Sequence, residues 1–374
     1  MKFGRRSAVT RRSLVSVVVP VYNVEIYLPE CLDSLLASQH ADLEIVVVDD
    51  GSTDGSGAVA DSYAARESRI TVVHTDNRGL GAARNEGLRH ITGDFIAFAD
   101  SDDVVPPTAY AVMAESLNQT GADFATGSIL LLEATGLTEP PWMRRLHNPP
   151  WPKARAAQHP EILGDVFAWN KLYRRSWWTD AGLSWPEGVR YEDQPTTTQA
   201  YLSGRFDVLS DHVYHWRVRD DGSSITQQRA SIDDLRDRWA TKRMSLAAVE
   251  ASPDAEAIRP VFLDRVLAGD LHRYFVAIPG SSDEWWRQLH RGIRELWGDH
   301  SLAHSGLPPV HRLTGWLVQQ GRRVDASAVM LWFANLDGKP VPRVERDGRW
   351  YLDVPVVSRA SVDPAALALR PHEL

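Results

Sequence analysis

The sequence predicts an α/β protein: an open, doubly wound, mixed sheet, followed by a helical region and a small C-terminal β module. Three observations carry that expectation. Short apolar runs alternate with helical patterns through residues 13–132. Two of those runs close in carboxylates, at Asp49-Asp50 and at Asp100-Ser101-Asp102-Asp103. Beyond residue 230 the apolar spacing turns helical, and it changes again near the end of the chain. Strand–helix alternation is what parallel neighbours require, because each crossover needs a connection long enough to hold a helix.

The elements read in order as follows. Val15 to Val19 is almost wholly apolar, as expected of a strand covered on both faces. Ile26, Leu28, Leu32, Leu35 and Leu36 then recur at roughly helical spacing. Glu44–Val48 is a second strand, Ala58–Arg66 a helix, Ile70–Val73 a third strand, Leu80–Leu88 a helix and Phe95–Ala99 a fourth strand. Pro106 and Pro107 suit the first turn of a helix over 108–117, since proline lacks only a donor that is unused there. Asp123–Leu132 is strand again. Residues 134–190 lose the rhythm; Trp142, Trp151, Trp169, Trp177, Trp178 and Trp185 stand among prolines, which suggests a shaped pocket wall.

Helices are expected over 231–250, from Pro260 to about Leu271, and over 284–296, where Trp285, Leu289 and Ile293 form one stripe. Val329–Phe333 and Arg349–Val354 read as short strands, with turns at Asn335–Gly338 and Asp347-Gly348. The expected division is a basic tail over 1–12, a sheet domain over 13–230, a helical accessory region over 231–322 and a β-rich module over 323–374.

Composition narrows the function classes. The 374 residues are 43% hydrophobic and 24% charged, ordinary for globular protein, and two or three domains are expected. A net charge of −8 argues against a general nucleic-acid binder. Cys31 is the only cysteine, so no intrachain disulfide exists. The apolar run Leu14–Val19 stops at Pro20 without a small-residue cleavage pattern, so it suits a strand better than a signal peptide. No stretch approaches 18 uninterrupted apolar residues. These features favour the cytoplasm. Lys2, Arg5, Arg6, Arg11 and Arg12 offer a basic tail for peripheral contact with an anionic membrane face.

An Asp-x-Asp closing a strand places oxygen ligands at the mouth of a sheet, where α/β proteins hold a divalent cation and the phosphates on it. The ordered blocks Val17–Asn23, Asp49–Ser56, Asn77–Gly87 and Asp100–Asp103 resemble the inverting GT-A glycosyltransferases of family 2. Asn170–Tyr173, Glu192-Asp193, Tyr214–Arg217 and Gly222–Thr226 are similar to that family's acceptor-side signatures. The resemblance covers residues 13–228; teichoic-acid members of the family also carry C-terminal accessory modules.

The resemblance implies a metal-dependent inverting transfer from a nucleoside-diphosphate sugar, UDP-linked by expectation. The acceptor would be a cell-surface glycan, a teichoic-type polymer or a natural product. It assigns Asp50, Pro20 and Tyr22 to the nucleoside cleft and Arg84 to the neighbourhood of the base; Asp100 would contact the ribose or ligate the metal through water, and Ser101 would belong to the nucleotide-binding set. Asp102 and His215 would bind Mn²⁺ or Mg²⁺, while Asp103 caps the following turn. Read as an extended strand, Asp211–Arg217 puts His212 and His215 on opposite faces, and the family pattern picks His215. Arg217 would reach the diphosphate, and Gly222–Thr226 would close over the donor. Asp193 is the implied general base, with Glu192 orienting it or the acceptor hydroxyl.

Two alternatives stand beside this reading. A sugar-phosphate nucleotidyltransferase shares the sheet and the acidic site, but Val21–Glu25 lacks the glycine-rich basic loop it needs. A non-catalytic carbohydrate-binding protein is the other. A homodimer built partly through residues 231–374 is also expected.

Overall fold

The computed structural model describes residues 13–219 and 231–374. The basic tail and the Gly222–Thr226 loop therefore lie outside the described residues. The chain forms two compact units, discontinuous in sequence. Of the described residues, the first takes 13–155, Phe167–Gly188 and Ser203–Val218; the second takes Ala156–Val166, Val189–Leu202, Arg219 and 231–374. The second unit thus draws two segments from within the 13–230 span.

The first unit begins β1 (Val15–Val21), α1 (Leu28–Leu36), β2 (Leu43–Asp50), α2 (Ser56–Ala64), β3 (Ile70–Thr75), α3 (Leu80–Gly87), β4 (Phe95–Phe98) and α4 (Ala109–Thr120). It continues with β5 (Phe124–Glu133), β6 (Gly136–Thr138), α5 (Pro141–His147), β7 (Trp151–Ala154), β8 (Lys171–Arg174) and α6 (Arg175–Asp180). Helix α7 (Asp193–Ser203) opens in the second unit, and β9 (Phe206–Arg217) returns to the first. Among the described residues the sheet order is β3-β2-β1-β4-β8-β5-β9-β7, with β6 on β5.

Strands β1, β2, β3 and β4 are mutually parallel, so β1, β2 and β4 all end on one edge. Every residue of β1 is buried, which is why its sequence is apolar without alternation. Helix α1 buries Leu28, Cys31, Leu32 and Leu35 against the sheet. Ile26, expected in that stripe, precedes the helix and is 78% exposed. Antiparallel β8 enters between β4 and β5 with its Lys171 fully buried. The lysine ammonium donates to the Phe167 carbonyl at 2.8 Å and to Asn170 Oδ1 at 2.9 Å, which makes its burial tolerable.

The second unit continues with α8 (Ile232–Ala251), α9 (Ala255–Val261), α10 (His272–Phe275), α11 (Asp283–Trp297), α12 (Pro309–Gln319) and α13 (Arg323–Ala334). A hairpin of β10 (Arg343–Arg346) and β11 (Arg349–Leu352) follows, then the short α14 (Pro364–Leu367). Helix α11 buries Trp285, Leu289 and Ile293 as the stripe required.

Two expectations are corrected. Pro260 does not open its helix but lies inside α9, and the wider π turn Phe262–Leu267 follows the bond its missing N–H cannot make. Val329–Phe333 is not a strand but the latter part of α13, which buries Ala326, Val329 and Met330 at helical spacing. The hairpin turn at Asp347-Gly348 is present, with φ of 49° and 71°.

Two features of this unit make stability predictions. Arg312 is fully buried and holds Glu373 through two hydrogen bonds of 2.7 and 3.0 Å, so it fastens the C-terminus. Arg312→Met should cost about 3 kcal/mol in urea unfolding, since it leaves a carboxylate without its partner. His311 is held down at about 4, by burial first and then by neighbouring His272. Between pH 6.5 and about 4 the unfolded chain therefore binds a proton that the folded chain refuses, so stability falls as pH falls through that window. Thermal melts between pH 7 and 4.5 should show a loss of roughly 1–2 kcal/mol that His311→Phe removes.

Candidate active site

Strands β1, β2 and β4 deliver Pro20–Tyr22, Asp49-Asp50 and Asp100–Asp103 to the same sheet edge. Open α/β sheets bind ligands at such an edge, outside the strand ends. Pro20 is buried within β1 while Tyr22 stands 48% exposed beyond it.

Asp50 is buried, and its two carboxylate oxygens shape the adjoining turn. Oδ1 accepts the Arg78 N–H at 2.9 Å and the Thr75 hydroxyl at 3.2 Å; Oδ2 accepts the Gly79 N–H at 2.8 Å. Gly79 enters α3 at φ 87°, a conformation that costs glycine little. Among the described residues, three of about four acceptor sites on the carboxylate are used in this way. Asp49 turns elsewhere: it accepts from Ser52 N–H at 3.1 Å and pairs with His74 at 2.9 Å.

The Asp100–Asp103 loop is held from several sides. Arg84, only 2% exposed on α3, donates to Asp100 Oδ1 at 2.8 Å, and its guanidinium lies 5.1 Å from the Trp185 ring. The Tyr214 hydroxyl accepts the Asp100 N–H at 2.9 Å. Ser101 is buried in the loop. Asp103 accepts the Arg217 N–H at 2.7 Å, and the Arg217 guanidinium donates to the Asp102 carbonyl at 2.7 Å and to Glu30 at 2.6 Å. Burial, then the neighbouring Asp102 and Asp100 carboxylates, push Asp103 well above the usual carboxylate range. Asp103 thus serves as an internal anchor for β9 rather than as a cap on the next turn.

His215 pairs with Val104 through both backbone bonds, at 2.9 and 3.2 Å, which sets it beside the acidic loop. Opposite faces for His212 and His215 require unbroken alternation. Strand β9 is irregular here, its register shifting against Gly127–Ile129. Gly127 allows this, because a Cβ there would stand 2.5 Å from Val213. Partners separate the two histidines instead: His212 lies 3.2 Å from Glu139, while His215 joins the acidic loop. Burial, then His212, lowers the His215 pKa, so the ring is neutral near pH 7.

The backbone bridge to Val104 brings the His215 imidazole into the neighbourhood of the Asp102 carboxylate, and among the described residues no group of three or more His, Cys, Asp or Glu is placed to hold a metal ion.

The tryptophans divide. Trp169, Trp178 and Trp185 are buried, whereas Trp142, Trp151 and Trp177 are partly covered. Trp169 stacks on Tyr214 at 4.2 Å and Phe167 on Trp169 at 4.6 Å, with Trp142 and Trp216 against Phe167. Several are therefore packing that stiffens β9 beneath the acidic loop. Sequence reasoning named Tyr214 in a motif without giving it a role, and it missed Glu30 and the buried pairing of Arg84; the apolar context of Ala82-Ala83-Arg84 was the available signal for the last.

In the second unit, Glu192 is buried and Asp193 heads α7, where its Oδ1 accepts the Gln194 N–H at 2.8 Å. Tyr191, just before them, has φ 64°, a left-handed conformation costing on the order of 1–3 kcal/mol for a non-glycine residue.

Among described residues no helix is long and apolar enough to cross a membrane. The family model described as Glycosyl transferase family 2 matches residues 16–180. The chain is 34% identical over 234 residues to the uncharacterized glycosyltransferase EpsJ of Bacillus subtilis, a match covering 59% of this chain and 66% of that protein. It is 29% identical over 266 residues to the poly(ribitol-phosphate) beta-N-acetylglucosaminyltransferase TarS of Staphylococcus aureus, covering 70% and 44%. The chain therefore covers less than two thirds of the length of these relatives. The crystal structure of S. aureus TarS 1-349 in complex with UDP-GlcNAc superposes with a TM-score of 0.72 at 22% identity, covering 91% of this chain and 96% of that one. That likeness establishes the GT-A fold.

Proposed function

The chain belongs to glycosyltransferase family 2, and on that premise we propose that it transfers a sugar from a nucleoside diphosphate to a hydroxyl of a cell-surface glycan. The observation that carries the proposal is the acidic loop Asp100–Asp103, held rigid by Arg84, Tyr214 and Arg217 at the edge where β1, β2 and β4 end. Such clamping suits a group that must meet a diphosphate without reorganising. Likeness to TarS, whose name specifies N-acetylglucosamine and poly(ribitol phosphate), makes UDP-GlcNAc the first donor to try and a teichoic-type polymer the first acceptor.

In this reading Tyr22 and Pro20 border the nucleoside, Asp50 contributes its carboxylate to it, and Asp100 and Ser101 face the ribose. Asp102 and His215 would hold Mn²⁺ or Mg²⁺, which when bound offsets charge on the leaving diphosphate. Arg217 stiffens the loop through Glu30 and Asp102 and keeps its positive charge near it. Asp193 takes the proton of the acceptor hydroxyl as that oxygen attacks the anomeric carbon opposite the diphosphate, which inverts the centre. Glu192, being buried, acts by orienting its neighbour.

The test needs no acceptor. UDP-, GDP- and TDP-sugars are offered with Mn²⁺, and release of the nucleoside diphosphate is followed. Slow hydrolysis of a UDP-sugar is expected; neither binding nor turnover of any donor would end the proposal. Pyrophosphate release from UTP plus a sugar phosphate would support the nucleotidyltransferase instead.

A further inference from the structure

We propose that Asp234 and Arg238, on helix α8, are positioning residues for Asp193, acting through a clamp on Tyr191. The inference rests on the reading of Asp193 as the acceptor-activating base. It gives part of the helical region a role in the reaction.

The clamp is built from named contacts. The Tyr191 hydroxyl donates to Asp234 Oδ1 at 2.6 Å, and the Tyr274 hydroxyl donates to Oδ2 at 3.0 Å. Asp234 is fully buried, so both of its oxygens are committed within the protein. The Arg238 guanidinium lies over the Tyr191 ring, 3.3 Å from its centroid. That guanidinium is fixed in turn by Asp270 at 3.2 Å, and Asp270 also takes the buried Lys242 ammonium at 2.7 Å. The Arg190 N–H reaches Asp237 at 3.4 Å, so the residue before Tyr191 is tied to the same helix.

Downstream, the Thr197 hydroxyl donates to the Asp193 carbonyl at 2.8 Å, with the Val166 carbonyl as its alternative acceptor at 3.2 Å, and the Thr196 hydroxyl donates to the Glu192 carbonyl at 3.4 Å. Glu192 and Asp193 are therefore fixed from both sides. Their backbone follows directly on the left-handed Tyr191, which persists only where its surroundings over-determine it.

Stability alone does not account for this arrangement. Helix α8 buries Asp234, Thr241, Lys242 and Ser245 where apolar residues would serve stability as well or better. A buried polar network with matched partners does something apolar packing does not: it admits one geometry. A carboxylate that must meet an acceptor oxygen within a few tenths of an ångström needs that.

The test compares wild type with Tyr191→Phe, Asp234→Asn, Asp193→Asn and the Tyr191→Phe/Asp193→Asn double variant. UDP-GlcNAc with Mn²⁺ and poly(ribitol phosphate) are the probes, with UDP affinity measured in parallel. Tyr191→Phe removes one oxygen and keeps the ring; it should lower kcat roughly 10- to 100-fold while UDP affinity and donor KM hold within about twofold. In the Asp193→Asn background the same change should add less than about twofold, because a positioning residue has nothing left to act through. A Tyr191→Phe enzyme as fast as wild type, or an equal further loss in the double variant, overturns the inference while Asp193 stays the base. An Asp193→Asn enzyme with full turnover instead overturns the base assignment. If wild type turns over no sugar nucleotide, the function reading fails, and hydrogen exchange still decides the clamp. Amides of 190–194 should exchange about tenfold faster in Tyr191→Phe than in wild type, with those of α11 unchanged. Unchanged exchange at 190–194 would show that no clamp exists, and it serves equally if Asp234→Asn fails to fold.

Discussion

Replacing Asp193 with asparagine is expected to lower sugar transfer about 10²- to 10⁴-fold, the usual worth of a general base, while nucleotide affinity stays at the wild-type level. The substitution is nearly isosteric. Its amide oxygen can still accept the Gln194 N–H that Asp193 accepts at 2.8 Å, so the start of α7 should survive. What is lost is the capacity to take a proton. The effect should fall on kcat with the donor KM little changed, as for an interaction realised in the transition state. Calorimetry with UDP and turnover of the sugar nucleotide, measured on one preparation, separate the two quantities. An Asp193→Asn protein that loses UDP binding yet keeps its turnover would remove Asp193 from this role.

The second large effect is expected at Asp102. Asp102→Ala should weaken Mn²⁺-dependent UDP binding by at least roughly 10- to 100-fold, while the weaker binding measured in EDTA changes little. The loop is also fastened through Asp100, Asp103 and the Asp102 backbone carbonyl, and the substitution leaves these contacts in place. Calorimetry with and without Mn²⁺ reads the difference directly. A variant that keeps the full metal-dependent gain would show that another group holds the ion. His215→Ala tests the second donor in the same assay.

The alternating half of the fold was legible because β1, β2 and β4 are short and buried on both faces, leaving apolar runs such as Val15–Val19 that no surface element carries. Strand β8 was visible as the motif Asn170–Tyr173 but not as a central strand. Four residues with a buried lysine carry no period, and antiparallel insertion between β4 and β5 is a long-range event. Val329–Phe333 misled because five consecutive apolar residues fit either period; the twelve-residue length of α13 shows which one applies. Pro260 misled because proline suits a first turn, yet here a π turn accommodates it inside a longer helical stretch.

The acidic loop could be read from sequence because its carboxylates close a strand, and position on a sheet edge follows from that alone. What holds the loop could not. The Tyr214 hydroxyl on the Asp100 amide and the Asp103 hold on Arg217 span more than a hundred residues. The bulge opposite Gly127 erased the parity by which His212 and His215 were to be told apart. The Tyr191 clamp was equally hidden, since nothing local to Arg190–Asp193 announces partners at Asp234 and Arg238.

The most direct test of the central claim is proton NMR of the sugar freed when the wild-type chain hydrolyses UDP-GlcNAc in the presence of Mn²⁺. An inverting glycosyltransferase acting on this α-linked donor should release the β anomer first, with the α anomer growing in only by mutarotation. An α anomer appearing first would contradict the direct displacement assigned to Asp193. No sugar release from UDP-GlcNAc or from any other sugar nucleotide would contradict the glycosyltransferase reading itself.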